Sequence, residues 1–258
     1  MPSVRSLVSR LGAAALRPWR AAAASNASGE GGWPADLTQA DLAILRRAGP
    51  FTMTSVARQV ALLEAVRYVI ERGIAGDFVE CGVWRGGSAM IIAMALAEAG
   101  VRDRDLHLFD TYDGMTPPTD LDRSLDGQSA REQLAAQSRD DAASIWCRAS
   151  LDEVRANMSS TGYPPERIHL VRGPVERTIP EFAPAAISVL RLDTDWYEST
   201  RHELEHLFPR VSRNGVVIID DYGHWQGARR AVDEYFREQR ACHLMHRVDY
   251  TGRLLIKN

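Results

Sequence analysis

Two stretches near the beginning of the chain repeat apolar residues at helical spacing. Residues 37–48 (LTQADLAILRRA) show this spacing, and residues 54–72 show it more clearly, with a stripe made of Val56, Val60, Leu63, Val66 and Ile70. Ser55 or Thr54 is suited to cap the second helix, because a hydroxyl accepts a hydrogen bond from a free backbone N–H of the first turn. The pattern therefore predicts two helices before residue 75.

From residue 78 onward the pattern changes to short apolar runs that alternate with helical stretches. The runs predict five strands, at 78–81, 106–110, 167–173, 187–193 and 215–220, and helices follow at 89–100, 197–208 and 227–240. Strands that alternate with helices indicate an α/β fold with a parallel sheet and helices on both faces. The segments 242–248 and 253–258 flank the turn-forming string DYTG, which predicts an antiparallel C-terminal hairpin.

The composition of the chain limits which partners and which cellular compartment we expect. The 258 residues carry 31 basic and 34 acidic side chains, a net charge of −3, which gives no reason to expect nucleic acid or an anionic membrane as partner. No stretch is long and apolar enough to span a bilayer. Cys81, Cys147 and Cys242 form no CxxC pair, so they indicate neither a disulfide framework nor a zinc site, and we expect a cytoplasmic protein.

Two regions fall outside the alternating pattern. Residues 1–32 are rich in Arg, Ala and Ser, and we interpret them as a flexible N-terminal tail that precedes a single domain at 33–258. Residues 111–150 hold no strand pattern and contain many Pro, Gly and Asp residues. A loop of that length in a compact domain is usually functional, so we predict that it forms a lid over the substrate.

A glycine-rich turn joins the first strand to the next helix. It runs Glu80-Cys-Gly82-Val83-Trp-Arg-Gly-Gly-Ser88 and matches neither GxGxxG nor GxxxxGK[ST]. Glycines allow a ligand to approach the backbone, and the free N–H groups at a helix N-terminus favour a carboxylate. Glu80 at the strand end can attract an ammonium group, while Ser88 can hold a carboxylate, which suits a zwitterionic amino-acid group.

Acids after the next two strands complete a nucleoside-binding pattern. Asp110 ends the second strand, where a carboxylate can accept both ribose hydroxyl protons. The alternative is a simple turn or helix-capping role. After the third strand, Val175 could pack on an adenine ring and Glu176 could face its edge, although Glu176 could also be a solvated acid at a helix start.

Paired acids follow the fourth and fifth strands. The fourth leads into Asp193-Thr-Asp195 and the fifth into Asp220-Asp221. Ligands collect at the carboxyl ends of strands in an open α/β sheet, so up to four carboxylates should share one crevice. Such a cluster repels itself unless protons or a cation neutralise it. Oxygen-only ligands predict a hard cation, Mg²⁺ above all, with Mn²⁺ or Ca²⁺ as alternatives.

These motifs, in this order, resemble the macrocin O-methyltransferase family, whose members methylate sugar hydroxyls on macrolides and related natural products. The strings that carry the resemblance are FVECGVWRGGS, LHLFDTYDGM, VRGPVERTIP, LRLDTDWYEST and GVVIIDDYGHWQGARRAVDEYF. The resemblance extends from about residue 50 to the C-terminus. It implies a class I methyltransferase (Rossmann-like) fold, S-adenosylmethionine as cofactor, a small hydroxylated acceptor and, by analogy, a homo-oligomer.

The resemblance also implies roles for individual residues. Asp193, Asp220 and Asp221 would bind Mg²⁺, and Asp195 would be the general base. Glu80, Gly82, Ser88 and Asp110 would hold S-adenosylmethionine, with Ser55 and Arg58 at the mouth of its pocket. Apart from the resemblance, we also expect Val83 in the glycine-rich turn, and Val175 and Glu176 after the third strand, to border the cofactor.

Two other functions stay open at this stage. The first is methylation of a phenol or another small hydroxylated acceptor. It stays open because the sequence of the predicted lid at 111–150 does not indicate which acceptor binds. The second belongs to a different class, a metal-dependent hydrolase or glycosyltransferase that acts on a nucleotide-sugar. It predicts that S-adenosylmethionine will not bind.

Overall fold

The computed structural model describes residues 32–141 and 144–258. Residues 38–258 form one compact unit. The predicted tail lies almost entirely outside the described residues, so it stays a prediction. Seven strands are present in the described ranges: β1 (Asp77–Cys81), β2 (Leu106–Asp110), β3 (Ile168–Arg172), β4 (Ile187–Leu192), β5 (Val211–Ile219), β6 (His246–Arg247) and β7 (Arg253–Ile256).

The helices alternate with these strands. They are α1 (Gln39–Ala48), α2 (Val56–Glu71), α3 (Gly87–Glu98), α4 (Ala130–Ala135), α5 (Leu151–Ser160), α6 (Val175–Thr178), α7 (Tyr197–Leu207) and α8 (Gln226–Glu238), with one-turn 3₁₀ helices at Gly49–Phe51, Pro165–Arg167 and Phe208–Arg210. None of the helices in the described ranges has the length and apolar character needed to cross a bilayer.

The strands form a single sheet in the order β3-β2-β1-β4-β5-β7-β6, in which β7 alone runs antiparallel to β5 and pairs with β6. This confirms the predicted parallel sheet with an antiparallel C-terminal hairpin. The chain order reverses between β1 and β4, and the carboxyl ends of parallel strands on either side of such a switch point leave a crevice where ligands bind.

Two element boundaries and the buried face of one helix differ from the predictions. β5 begins at Val211 rather than at residue 215, and the first hairpin strand contains only His246 and Arg247 rather than residues 242–248. In α2 the stripe was partly wrong: Leu62 and Val69 are buried, whereas Val56, Val60 and Ile70 are only half-buried. The buried side is broader than one stripe because α2 packs both on α3 and against the sheet.

Register aligns the ends of the central strands. Cys81 lies beside Leu192, and Leu192 lies beside Ile219. The alignment continues one residue further, because Asp193 N–H donates to the Cys81 carbonyl and Asp220 N–H donates to the Leu192 carbonyl, both at 2.9 Å. Gly82, Asp193 and Asp220 are therefore neighbours at the same edge of the sheet.

The 111–150 segment packs beside this edge through a small apolar cluster. Trp196 and Trp225, at the starts of α7 and α8, meet in a T-shaped contact with ring centroids 5.0 Å apart. Ala130 and Leu134 from α4 join them, as does Ala228. Burial of these aromatic surfaces against the segment holds it next to the strand ends.

Candidate active site

A cleft of about 370 Å³ opens at the carboxyl ends of β1, β2, β4 and β5. The predicted site residues that line it are Arg58, Glu80, Gly82, Val83, Ser88, Asp110, Val175, Glu176, Asp193, Asp195, Asp220 and Asp221. The 111–150 segment forms one wall through residues that include Met115, Ile145 and Cys147. The cleft therefore brings together residues that are separated by more than 160 positions in the sequence.

Gly82 is required where β1 turns into the loop. Its φ of +81° lies in the left-handed region, and a Cβ there would stand 1.9 Å from the carbonyl oxygen of Asp193. No other residue fits, because the loop passes directly over the end of β4. The loop then enters α3, where Ser88 lies in the first turn, so that backbone N–H groups without intrahelical partners face the cleft.

Glu80 is fully buried beside the cleft with one carboxylate oxygen unused. Its Oε1 accepts a hydrogen bond from Arg191 at 2.7 Å, whereas Oε2 has no hydrogen-bond partner among the residues that the structure describes. Burial raises the pKa of Glu80 to about 7, although the charge of Arg191 lowers it. A buried oxygen without a donor costs free energy unless a ligand supplies one. This oxygen fits the predicted contact with an ammonium group.

Asp110 holds the glycine-rich loop. Its Oδ2 accepts from the backbone N–H groups of Val83 at 2.6 Å and Trp84 at 3.0 Å, and Oδ1 accepts from Tyr112 N–H at 2.7 Å. Burial raises the pKa of Asp110, while these hydrogen bonds lower it. The carboxylate thus fixes the loop. Each carboxylate oxygen has two lone pairs, so its predicted hydrogen bonds to a ribose depend on the lone pairs that these N–H groups leave free.

The expected adenine wall follows β3. Val175 is buried at the start of α6 and lines the cleft, while the neighbouring Glu176 is exposed at the cleft margin. Val83 faces the same cleft from the glycine-rich loop. Two apolar side chains from different loops suit the faces of a flat ring, and these contacts stay predictions.

The structure separates the two residues expected at the pocket mouth. Arg58 lines the cleft and forms ion pairs with Asp220 and, at 3.0 Å, with Asp249. Ser55 does not line the cleft; it caps α2 by accepting from Arg58 N–H, and its hydroxyl donates to Asp249 at 2.6 Å. Its geometry supports a role in positioning Arg58 rather than a cofactor contact.

Arg191 is a site residue that the sequence analysis missed. The side chain is 3% exposed, and its guanidinium contacts Glu80 at 2.7 Å, Asp193 at 2.6 Å and Asp220 at 2.8 Å. The signal was present: a single charged residue interrupts the buried apolar strand β4. Arg191 pairs in register with Glu80, and Asp193 follows two residues later on the same face, so alternation along the strand brings these charges together.

Asp193, Asp195 and Asp221 form a compact acidic group. One carboxylate oxygen from each lies within 4.8 Å of the others. Asp195 adopts a φ of +67°, and its carboxyl group is hydrogen-bonded to that of Asp221. Burial raises the pKa of Asp195 to about 6 and raises those of Asp193 and Asp221 strongly, with repulsion among the group adding to the effect.

This donor set fits a hard divalent cation, since it offers only oxygens and carries negative charge that a cation would relieve. It differs in one member from the predicted set. The two oxygens of Asp220 are engaged by Arg191 and Arg58, while Asp195 takes a place in the group. The assignment of Asp220 as a metal ligand therefore stays a prediction.

Two buried acids behind the site were also absent from the predicted set. Glu203 on α7 is fully buried and accepts from the Thr194 hydroxyl at 2.9 Å, which fixes the loop between Asp193 and Asp195. Asp122 accepts from Tyr197 N–H at 2.8 Å and from Thr119 N–H at 2.7 Å, and so ties the 111–150 segment to the start of α7. Both positions became visible only when distant segments were brought together.

Comparison with known proteins identifies similar chains. The family described as macrocin O-methyltransferase (TylF) matches residues 40–257. The demethyldecarbamoylnovobiocin O-methyltransferase of Streptomyces niveus is 34% identical over 188 residues, which cover 73% of this chain and 68% of that protein. The 8-demethyl-8-(2,3-dimethoxy-alpha-L-rhamnosyl)-tetracenomycin-C 4'-O-methyltransferase of Streptomyces olivaceus is 32% identical, over 83% of this chain and 79% of that protein.

A solved structure is similar as well. The O-methyltransferase NovP superposes with a TM-score of 0.70 at 31% identity, and the match covers 81% of this chain and 82% of that one. The family match spans nearly all of the described fold, including the glycine-rich loop and both acidic strand ends. The chain belongs to the macrocin O-methyltransferase family of S-adenosylmethionine-dependent O-methyltransferases.

Proposed function

We propose that this protein transfers the methyl group of S-adenosylmethionine to a hydroxyl of a sugar on a natural product or related glycoside, with a divalent cation held by its aspartates. One observation carries the proposal. The same cleft contains the unpartnered Oε2 of Glu80 and the acidic group of Asp193, Asp195 and Asp221. The carboxylate of Glu80, which suits an ammonium group, thus lies at the end of β1, next to the strand β4 that leads to the proposed metal-binding aspartates.

The cofactor assignment rests on complementarity to an amino-acid end group. Glu80 offers a carboxylate oxygen for an ammonium group, and the first turn of α3 at Ser88 offers backbone N–H groups for a carboxylate. Asp110, at the end of β2, would bind the ribose, and Val83 and Val175, which line the cleft, would offer apolar surface to the adenine. Each of these roles is part of the proposal.

Mg²⁺ is the cation that we propose, with Asp193 and Asp221 as ligands. These two acids belong both to the set that family resemblance implies and to the group observed here. Asp220 would complete the set if it gave up Arg58 or Arg191, and this leaves Asp195 free of the cation. When bound, such a cation lowers the pKa of an acceptor hydroxyl and orients it.

Asp195 is the group that we assign as general base. Its pKa near 6 leaves it ionised at neutral pH, which a proton acceptor requires. Trp225 and Asp221 hydrogen-bond to its carboxyl group and hold it at the cleft. Because an alkyl hydroxyl is a poor nucleophile until it loses its proton, the position of this carboxylate controls the rate of the chemical step.

Calorimetry with S-adenosylhomocysteine tests the cofactor assignment first. Binding to the wild-type protein should be lost or weakened at least tenfold in Glu80→Gln. Complete failure of the wild type to bind S-adenosylhomocysteine would contradict the proposal and would favour a hydrolase or glycosyltransferase that acts on a nucleotide-sugar.

Methyl transfer from labelled S-adenosylmethionine to a panel of glycosides and phenols tests the acceptor class. Asp195→Ala should lower kcat by about 10²- to 10⁴-fold while Mg²⁺ affinity changes less. Asp221→Asn should abolish the metal dependence together with activity. Full turnover in Asp195→Ala would disprove the base assignment, and transfer to phenols alone would replace the sugar by a phenolic acceptor.

A further inference from the structure

Arg58 reaches from the first turn of α2 to two carboxylates that lie on different elements. Its Nη1 pairs with Oδ2 of Asp220, directly after β5, and its Nε lies 3.0 Å from Oδ2 of Asp249, in the turn between β6 and β7. Asp220 lines the cleft, whereas Asp249 does not. The guanidinium therefore bridges a proposed metal ligand and an acid outside the cleft.

The two contacts of Arg58 are not equal. The contact with Asp220 is a hydrogen bond, whereas the buried Nε of Arg58 has no acceptor in hydrogen-bond geometry among the described residues, although Asp249 is close. Oδ2 of Asp249 accepts from the Ser55 hydroxyl at 2.6 Å and keeps a second lone pair. A buried N–H without an acceptor costs free energy, so a shift that aligned the guanidinium with Asp249 would recover some of that cost.

Asp220 itself is held in place. Its backbone N–H donates to the Leu192 carbonyl at 2.9 Å, and its carbonyl accepts from the Thr251 hydroxyl at 2.7 Å. Arg191 holds its Oδ1 at 2.8 Å, is 3% exposed and has two further acid partners. The Arg58 side chain is 13% exposed and has an alternative carboxylate. Of the two arginines on Asp220, Arg58 is therefore the one that can leave.

The charge of Arg58 opposes a cation at the same place. Burial lowers the pKa of Arg58, but the charges of Asp220, Asp249 and Asp193 raise it above its usual value, so the side chain stays charged. A positive charge this close to Asp193 and Asp220 repels a divalent cation that would bind them. Arg58 and the cation therefore compete for Oδ2 of Asp220.

We propose that Arg58 controls the cation affinity of the active site by exchanging Asp220 for Asp249. The guanidinium releases Oδ2 of Asp220 and pairs fully with Asp249, so that Asp220 becomes available beside Asp193 and Asp221. No charge is left unpaired, because Asp220 keeps Arg191 and Arg58 keeps a carboxylate. The inference rests on the proposed Mg²⁺ site and names the residue that regulates it.

Calorimetry with MgCl₂ on the full chain, after dialysis against a chelator, tests the exchange with two variants of opposite sign. Arg58→Met should tighten Mg²⁺ binding about tenfold, because the competing charge is gone. Asp249→Asn should weaken it about tenfold, because Arg58 loses its alternative partner and stays on Asp220. Arg213→Met, an equal loss of charge at an exposed position of β5, should leave the affinity unchanged.

The double variant separates the exchange from a general charge effect. In the Arg58→Met background, Asp249→Asn should change Mg²⁺ affinity by no more than about twofold. The same weakening in both backgrounds, or an Arg58→Met protein that binds Mg²⁺ no more tightly than the wild type, overturns the inference and leaves the proposed function standing. A misfolded variant cannot produce the expected gain in affinity.

Absence of Mg²⁺ binding in every variant would refute both this inference and the proposed cation. Normal S-adenosylhomocysteine binding by the wild type would then show that the cofactor assignment survives without them.

Discussion

Arg191 offers the sharpest test of how the site is held together. Arg191→Met keeps the approximate volume of the side chain but removes the guanidinium that contacts Glu80, Asp193 and Asp220. Removal of one partner from a buried ion pair costs about 3–5 kcal/mol, because the remaining charges are left uncompensated. Asp220 retains Arg58, and the Asp193 side chain is 27% exposed, so we expect the lower part of that range.

Urea denaturation at two pH values measures this cost. At neutral pH the free energy of unfolding should fall by about 3 kcal/mol, which corresponds to a loss of roughly 10 °C in Tm for a domain of this size. Arg191→Lys, which keeps the charge, should lose less. Arg213→Met, at an exposed position, is the matched control and should change the free energy by no more than about 0.5 kcal/mol.

The pH dependence carries a definite sign. Burial already raises the pKa values of Glu80 and Asp193 in the folded state above their unfolded values, and Arg191 lowers both, so removal of Arg191 raises them further. The neutral acids then stabilise the fold at low pH, and this stability is lost as pH rises through the folded pKa. The deficit of Arg191→Met should therefore shrink as pH falls. A deficit below about 1 kcal/mol at neutral pH, or one that grows on acidification, would refute this account of the buried charges.

Three further predictions concern the cofactor pocket and the 111–150 segment. Gly82→Ala should abolish S-adenosylhomocysteine binding, whereas Gly100→Ala, which has a similar positive φ but open space around it, should cost only about 1 kcal/mol in a melting experiment. Since burial raises the pKa of Glu80 to about 7, S-adenosylhomocysteine affinity measured by calorimetry should increase as pH rises through that value, and Glu80→Gln should flatten the increase. Asp122→Ala should speed limited proteolysis within 111–150, whereas the exposed Asp120→Ala should not; equal rates would contradict the anchoring role of Asp122.

The sequence determined the architecture because each element carries its own periodic pattern. Short apolar runs followed by Gly or Asp located β1, β2 and β4, and the DYTG string located the hairpin. Since the carboxyl ends of parallel strands share one edge, acids after β4 and β5 had to approach one another. The order of the motifs was sufficient to identify the family. These inferences needed only local spacing and the general geometry of parallel sheets.

The tertiary structure decided which charges pair. Arg191 forms ion pairs with Asp193 and Asp220, and Asp220 also pairs with Arg58. Asp195, rather than Asp220, therefore lies in the compact acidic group with Asp193 and Asp221. Ser55 donates its hydroxyl hydrogen to Asp249 and does not line the cleft. Such choices depend on distances between side chains from different elements, where a few ångströms decide the size of an electrostatic energy. A one-dimensional pattern shows which charges exist along the chain, but the packed fold alone sets which of them remain available to a ligand.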